Sequence, residues 1–197
     1  KVPRPSCHEE KIREYLLKFA SEHDIAVKTD AVGNVVMSKP ATPGCEGAPT
    51  VILQAHMDMV AEKNNDTVHD FLKDPIQTYI DGDWVKARGT TLGADNGIGM
   101  AAAMAALIDP DLMHGPLECL FTINEEIGLE GAINLGEGMI TGKILINLDS
   151  EDDGEIFVGC AGGIDTTAFF SYNRAVSPEH FHYLKVSVSG LLGGHSG

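Results

Sequence analysis

Thr50-Val51-Ile52-Leu53-Gln54-Ala55-His56-Met57-Asp58 is the stretch on which the fold turns. Its first six residues form an almost unbroken apolar run, which suits a strand covered on both faces. A strand of that kind belongs to a sheet packed between helices. Working outward, Glu118 to Ile123 and Lys143 to Leu148 read as two more buried-type strands, and Val32 to Met37 as a short one beside the Gly33-Asn34 turn. Ser6 and Glu9 have the spacing of a capping box. They predict a helix running to about His23, with Ile12, Tyr15, Leu16 and Phe19 on one face. Gly97 to Ile108 predicts a second helix, rich in Ala and Met and ended by Asp109-Pro110. Pro40 to Pro49 is a loop, and Asn64 to Pro75 is polar and irregular. Strands alternating with helices give the α/β class, a layered sheet flanked by helices.

The pattern changes after about Gly163. Asp165 to Tyr172 and Tyr183 to Ser189 alternate at period two, predicting the opening strands of a second, α+β unit. The expected division is 1–163 for the main domain and 164–197 for the start of the next. Trp84, in Asp83-Trp84-Val85, is expected in the core or at its rim.

With 197 residues, 43% of them apolar and 22% charged, the chain can bury a core, which excludes disorder and low-complexity polymers. Acidic residues number 29 against 14 basic ones, a formal charge of −15, which disfavours nucleic acid and anionic lipid as partners. The longest apolar stretch, Ile98 to Ile108, is too short to span a bilayer. Lys1 to Pro5 lacks the apolar run of a signal peptide. Cys7, Cys45, Cys119 and Cys160 are scattered, as in a reduced cytoplasmic protein. The chain lacks an initiator Met and stops inside Gly193-Gly194-His195-Ser196-Gly197, so both ends look cut.

Chemistry-bearing residues follow the strands. His56-Met57-Asp58 follows the first run, and Asp95 sits in the loop opening the second helix. Asn124-Glu125-Glu126 follows Phe121-Thr122-Ile123, and Asp149 follows Ile146-Asn147-Leu148. In open α/β sheets ligands bind at the carboxyl ends of strands, so these points can converge. Clustered carboxylates repel one another, and a divalent cation relieves the repulsion. One imidazole with several carboxylates suits Zn, Mn or Co. Two ions sharing a carboxylate would suit metal-assisted hydrolysis. In His-x-Asp the two side chains share one side of an extended segment, so Asp58 can orient His56. The Glu125-Glu126 pair can divide its work, one residue binding metal and the other acting as general base.

Taken singly, each piece has an ordinary explanation. His-x-Asp can be a plain hydrogen-bonded pair, Glu-Glu a response to a helix dipole, Asp95 a helix cap, and Asp149 to Asp153 a solvated loop. Their ordered appearance at strand ends favours the joint reading. Gly97-Ile98-Gly99-Met100-Ala101-Ala102 fits a dinucleotide fingerprint, but Asp95 would set a negative charge where a pyrophosphate belongs. Its glycines fit close helix–sheet packing better. Gly194-His195-Ser196 supports a serine nucleophile only weakly.

Gln54 to Val60, Gly89 to Gly97, Asn124 to Ala132 and Asn147 to Glu151 together resemble the aminoacylase/carboxypeptidase family of two-zinc peptidases, over nearly the whole chain. The resemblance implies that His56 and Asp149 bind one zinc, Asp95 bridges both and Glu126 binds the second. It further implies Glu125 as general base, Asp58 as support for His56, and a cis peptide at Asp95–Asn96. His195 matches a histidine of the family's lid domain that helps to hold substrate, often across a dimer interface. The implied activity is hydrolysis of dipeptides, Xaa-His included, with N-acyl amino acids or tripeptides as alternative substrates. A homodimer is implied for the full-length protein. In the family the second zinc takes another histidine from a much later segment, beyond Gly197. The chain therefore reads as an N-terminal fragment, expected to be inactive alone or to serve as a metal-stabilised, non-catalytic domain.

Overall fold

The computed structural model describes residues 1–190 except 151, 153, 161, 163, 165, 177, 178 and 183. It divides into two compact units, Lys1–Glu151 and Asp152–Gly197. The first unit carries α1 (Glu10–Glu22), β1 (Ala26–Thr29), β2 (Val35–Lys39), β3 (Val51–His56), β4 (Thr78–Asp81), β5 (Trp84–Ala87), α2 (Ala94–Ile108), β6 (Leu117–Thr122), α3 (Glu130–Ile133) and β7 (Ile144–Asn147). Five strands form one sheet in the order β1-β2-β6-β3-β7, and β4 and β5 form a separate hairpin. The β1–β2 and β2–β6 pairings are antiparallel, whereas β3 runs parallel to both β6 and β7. The fold is thus the expected α/β sheet flanked by helices.

β6 is central, and all six of its residues are buried. Its Cys119 and Phe121 meet Ile12, Leu16 and Ala20 of α1 and Met100, Ala103 and Leu107 of α2. Leu120 points the other way, to Val36, Ile52 and Met139. A strand with apolar cover on both faces needs no polar face, and so its sequence lacks clean alternation. α1 and α2 share one cluster with that face of the sheet.

Glu118 is the exception, a buried acid inside β6. Its carboxylate accepts hydrogen bonds from the amides of Thr141 and Gly142 and from the Thr141 hydroxyl. Burial alone would raise its pKa, but these donors and the charge of Lys28 hold it below its ordinary 4.5. A carboxylate depressed on folding contributes stability above its unfolded pKa and loses it as the pH falls through the folded value. Glu118→Gln is therefore expected to cost about 1–3 kcal/mol at pH 7, with the gap to wild type closing toward pH 3. Urea unfolding at both pH values reads this directly, and a gap independent of pH would contradict it.

Several expectations need correction. The Ser6/Glu9 capping box does not form, because α1 begins at Glu10 with no side-chain cap and both side chains are engaged elsewhere. Trp84 lies on the hairpin and is 72% exposed, since β5 packs against β4 alone. β7 has the apolar composition of a buried strand, yet all four of its residues are exposed: it is the sheet's last strand, paired only with β3. Among the described residues of 165–172 and 183–189 no strand forms, because period-two alternation without a paired neighbour makes no ladder. β1 and the β4–β5 hairpin were not anticipated; their segments are only four residues long and mix apolar with polar residues.

Candidate metal centre

Because β3, β6 and β7 run parallel, their carboxyl ends share one edge of the sheet. His56 ends β3, Asn124-Glu125-Glu126 lies just past β6, and Asp149 just past β7. The fourth contributor, Asp95, comes from the opening of α2. Gly93 there has φ +73°, a left-handed conformation that glycine adopts without penalty. Asp95 and Asn96 depart from helical geometry, and the peptide joining them is cis. Asp95 is thus turned toward His56 instead of capping the helix. Close packing of α2 follows from Gly99, where a Cβ would stand 2.0 Å from Asn96 Oδ1 and 2.7 Å from the Leu148 carbonyl.

The imidazole of His56 is buried, and its Nε2 lies 2.9 Å from Asp95 Oδ1, 3.5 Å from Asp149 Oδ1 and 3.9 Å from Glu125 Oε2. Its Nδ1 lies 3.0 Å from the Asp58 carbonyl oxygen and 3.3 Å from Asp58 Oδ1. Burial disfavours the charged ring, but the hydrogen bonds and charges of Asp149 and Asp58 outweigh it and raise its pKa from 6.5 to about 11. Ligand atoms converge in two groups, His56 with Asp95 and Asp149, and His56 with Glu125 and Glu126. Five of the residues singled out from sequence, His56 with Asp95, Asp149, Glu125 and Glu126, therefore lie in two groups that share the imidazole. His195 lies outside the described residues.

A single proton on Nε2 cannot balance three facing carboxylates. The donor set, one imidazole with several carboxylate oxygens, fits divalent ions of the Zn, Mn and Co kind. Replacing the Nε2 proton by such an ion would leave Nδ1–H to donate to Asp58 and would match the surplus negative charge. Burial raises the Glu125 pKa, the nearby His56 pulls it down, and Asp149, Asp58 and Asp95 add to the rise. Beside Glu125 a cavity of about 190 Å³ is lined by Gln54, Thr122, Leu129, Asn147 and Asp149. Asn147 donates to Gln54 Oε1 and accepts from the Asp149 amide, which ties the end of β7 to β3.

Asp58 is buried and does more than face His56. Its Oδ1 accepts the Glu125 amide at 3.0 Å and its Oδ2 the Glu126 amide at 3.2 Å. Burial alone would raise its pKa, but His56, the Glu125 amide and Ser6 lower it below 3.8. Arg4, unremarked in the sequence, is also buried here. Its guanidinium donates to the carbonyls of Met57 (2.9 Å), Asp58 (2.6 Å) and Gly93. One side chain thus ties the loop after β3 to the loop that presents Asp95. An isolated Arg between two prolines gives no periodic signal, and only tertiary packing reveals its partners.

Residues 52–174 match the model of Peptidase family M20/M25/M40. The chain is 57% identical over 196 residues to the cytosol non-specific dipeptidase of Escherichia coli K12, covering all of this chain and 40% of that protein. It thus spans less than half the length of that relative. A solved structure of aminoacylhistidine dipeptidase from Vibrio alginolyticus superposes with a TM-score of 0.76 at 55% identity, over 78% of this chain and 31% of the other. Aminopeptidase PepT from Bacillus cereus superposes with a TM-score of 0.63 at 29% identity, over 77% and 40% of the two chains. The matched family model covers most of the sequence, and the chain belongs to Peptidase family M20/M25/M40.

Proposed function

We propose that this chain carries the metal-binding site of a dipeptidase, a hydrolase that cuts dipeptides, Xaa-His among them. The observation that supports it most is His56 Nε2 facing Asp95, Asp149 and Glu125 within 3.9 Å at the carboxyl edge of a parallel sheet. In this reading His56, Asp95, Glu126 and Asp149 hold two divalent ions, zinc by donor type with Mn or Co as substitutes. Such ions, when bound, polarise the scissile carbonyl and acidify water. Asp58 holds the His56 ring, its carbonyl and carboxylate oxygens both facing Nδ1. Glu125 accepts the water's proton and delivers it to the leaving amine. The cavity beside Glu125 and Asp149 offers room for part of the substrate. His195 and a later histidine complete the reading for the full-length protein, as substrate holder and remaining ligand.

The substrate class is supported by the two dipeptidases that match at 57% and 55% identity. A cytoplasmic location is supported by the cytosolic E. coli relative and by four cysteines without a paired pattern. No helix among the described residues is long and apolar enough to cross a membrane. A homodimer follows from the family resemblance.

The test uses the full-length protein with Xaa-His dipeptides, other dipeptides, a tripeptide and an N-acyl amino acid. Dipeptide turnover is expected to vanish on chelation and to return with zinc. Turnover that survives removal of bound metal would overturn the metal reading. Preference for the tripeptide or the N-acyl substrate would overturn the dipeptide one.

A further inference from the structure

The loop Asn124-Glu125-Glu126 presents three successive amides to two buried carboxylates from elsewhere in the chain. Asp58 takes those of Glu125 and Glu126, and Glu9 Oε1 takes that of Asn124 at 3.0 Å. Glu9 is 7% exposed and stands at the head of α1, 115 residues away in sequence. The same N-terminal turn reaches the loop once more and its anchor Asp58 once. The Cys7 amide donates to Asn124 Oδ1 at 2.7 Å, and the Ser6 hydroxyl donates to Asp58 Oδ2 at 2.8 Å. Asn124 itself sits at φ +50°, a left-handed conformation that a non-glycine residue holds only when its surroundings fix it. Its side-chain nitrogen donates to Glu130 Oε2 at 2.6 Å, so every polar group of the residue described here is tied down.

We propose that Glu9 is a positioning residue for hydrolysis: by holding the Asn124 amide it fixes the direction in which Glu125 and Glu126 leave β6. Asp58 holds only the two downstream amides, those of Glu125 and Glu126, and leaves that of Asn124 to another partner. Glu9 holds the backbone there, one residue upstream, while the Cys7 amide holds the Asn124 side chain. The placement explains why Ser6 and Glu9 have the spacing of a capping box and yet cap nothing. Their side chains support the site instead of the helix. Arg13 still closes the first helical turn onto the Glu9 carbonyl, so α1 keeps its start whatever the side chain does.

The inference rests on the reading of Glu125 and Glu126 as the working glutamates, and two readouts keep the two ideas apart. In the full-length protein, Glu9→Ala is expected to lower kcat about 10- to 100-fold with KM and bound metal unchanged. Amide exchange is expected to quicken at Asn124 to Glu126 and not within α1. Glu9→Gln, which retains an oxygen for the Asn124 amide, is expected to recover most of kcat and of the protection. Should Glu9→Ala fail to fold, Glu9→Asp, one methylene shorter, serves with the same expected direction. Unchanged exchange at 124–126 in the Ala or Asp variant would overturn the tether. A wild-type kcat, or a Gln variant as poor as Ala, would overturn the positioning role. A wild type that hydrolyses no dipeptide would count against the proposed function, while the exchange result would still decide the tether.

Discussion

Glu125→Gln in the full-length protein is expected to lower kcat about 1,000-fold while bound metal stays at the wild-type level. The substitution keeps size and shape and leaves the backbone amide on Asp58 Oδ1. What it removes is the basic oxygen. Its neutral side chain also lessens repulsion with Asp149, Asp58 and Asp95, the same charges that help raise the Glu125 pKa. Metal retention should therefore not suffer. The geometry makes the outcome informative, since Glu125 Oε2 and a Glu126 oxygen both lie within ligand reach of His56. Metal analysis beside steady-state kinetics separates the roles. If activity and metal are lost together in Glu125→Gln but not in Glu126→Gln, the assignments of the two residues are reversed.

Arg4→Met is expected to destabilise the protein by about 3–5 kcal/mol. Met fills similar length but donates nothing, and the carbonyls of Met57, Asp58 and Gly93 lose their partner in a buried place. A cation is also removed from beside Asp58, Asp95 and Glu126, all of which favour its charged form. Arg4→Lys should recover only part of the loss, because an ammonium lacks the planar fork that spans two loops. Urea unfolding at neutral pH measures both variants. A Met variant within 1 kcal/mol of wild type would mean that the two loops hold themselves in place.

The strand at 51–56, the central strand at 117–122 and the second long helix were legible because long apolar runs leave few alternatives. The first long helix was legible because Ile12, Tyr15, Leu16 and Phe19 recur on one face. The candidate site was legible from its place at the strand ends and from the motifs that resemble the peptidase family. His56, Asp95, Glu125, Glu126 and Asp149 each follow or open a recognisable element, and strand direction does the rest. Glu9 and Arg4 were not legible as parts of it. Glu9 has the local spacing of a helix cap, and its distant partner, the Asn124 amide, leaves no mark in sequence. Arg4 pairs with carbonyls, which every residue carries. Trp84 misled for the opposite reason, since a large aromatic favours burial only where a second layer exists to cover it.

The strand order β1-β2-β6-β3-β7 has a consequence for the chain as it leaves the ribosome. β2 and β3 are made early but do not pair with each other, for the strand between them is β6, completed only at Thr122. Until then Val35–Lys39 has only β1 along one edge and Val51–His56 has no strand partner at all, and translation must run some seventy residues past His56 before β6 reaches either. The nascent polypeptide thus carries one half-paired and one unpaired strand through that interval, and their open edges invite pairing with other chains. Slowing elongation between residues 57 and 122 should raise aggregation more than the same pause placed after 150.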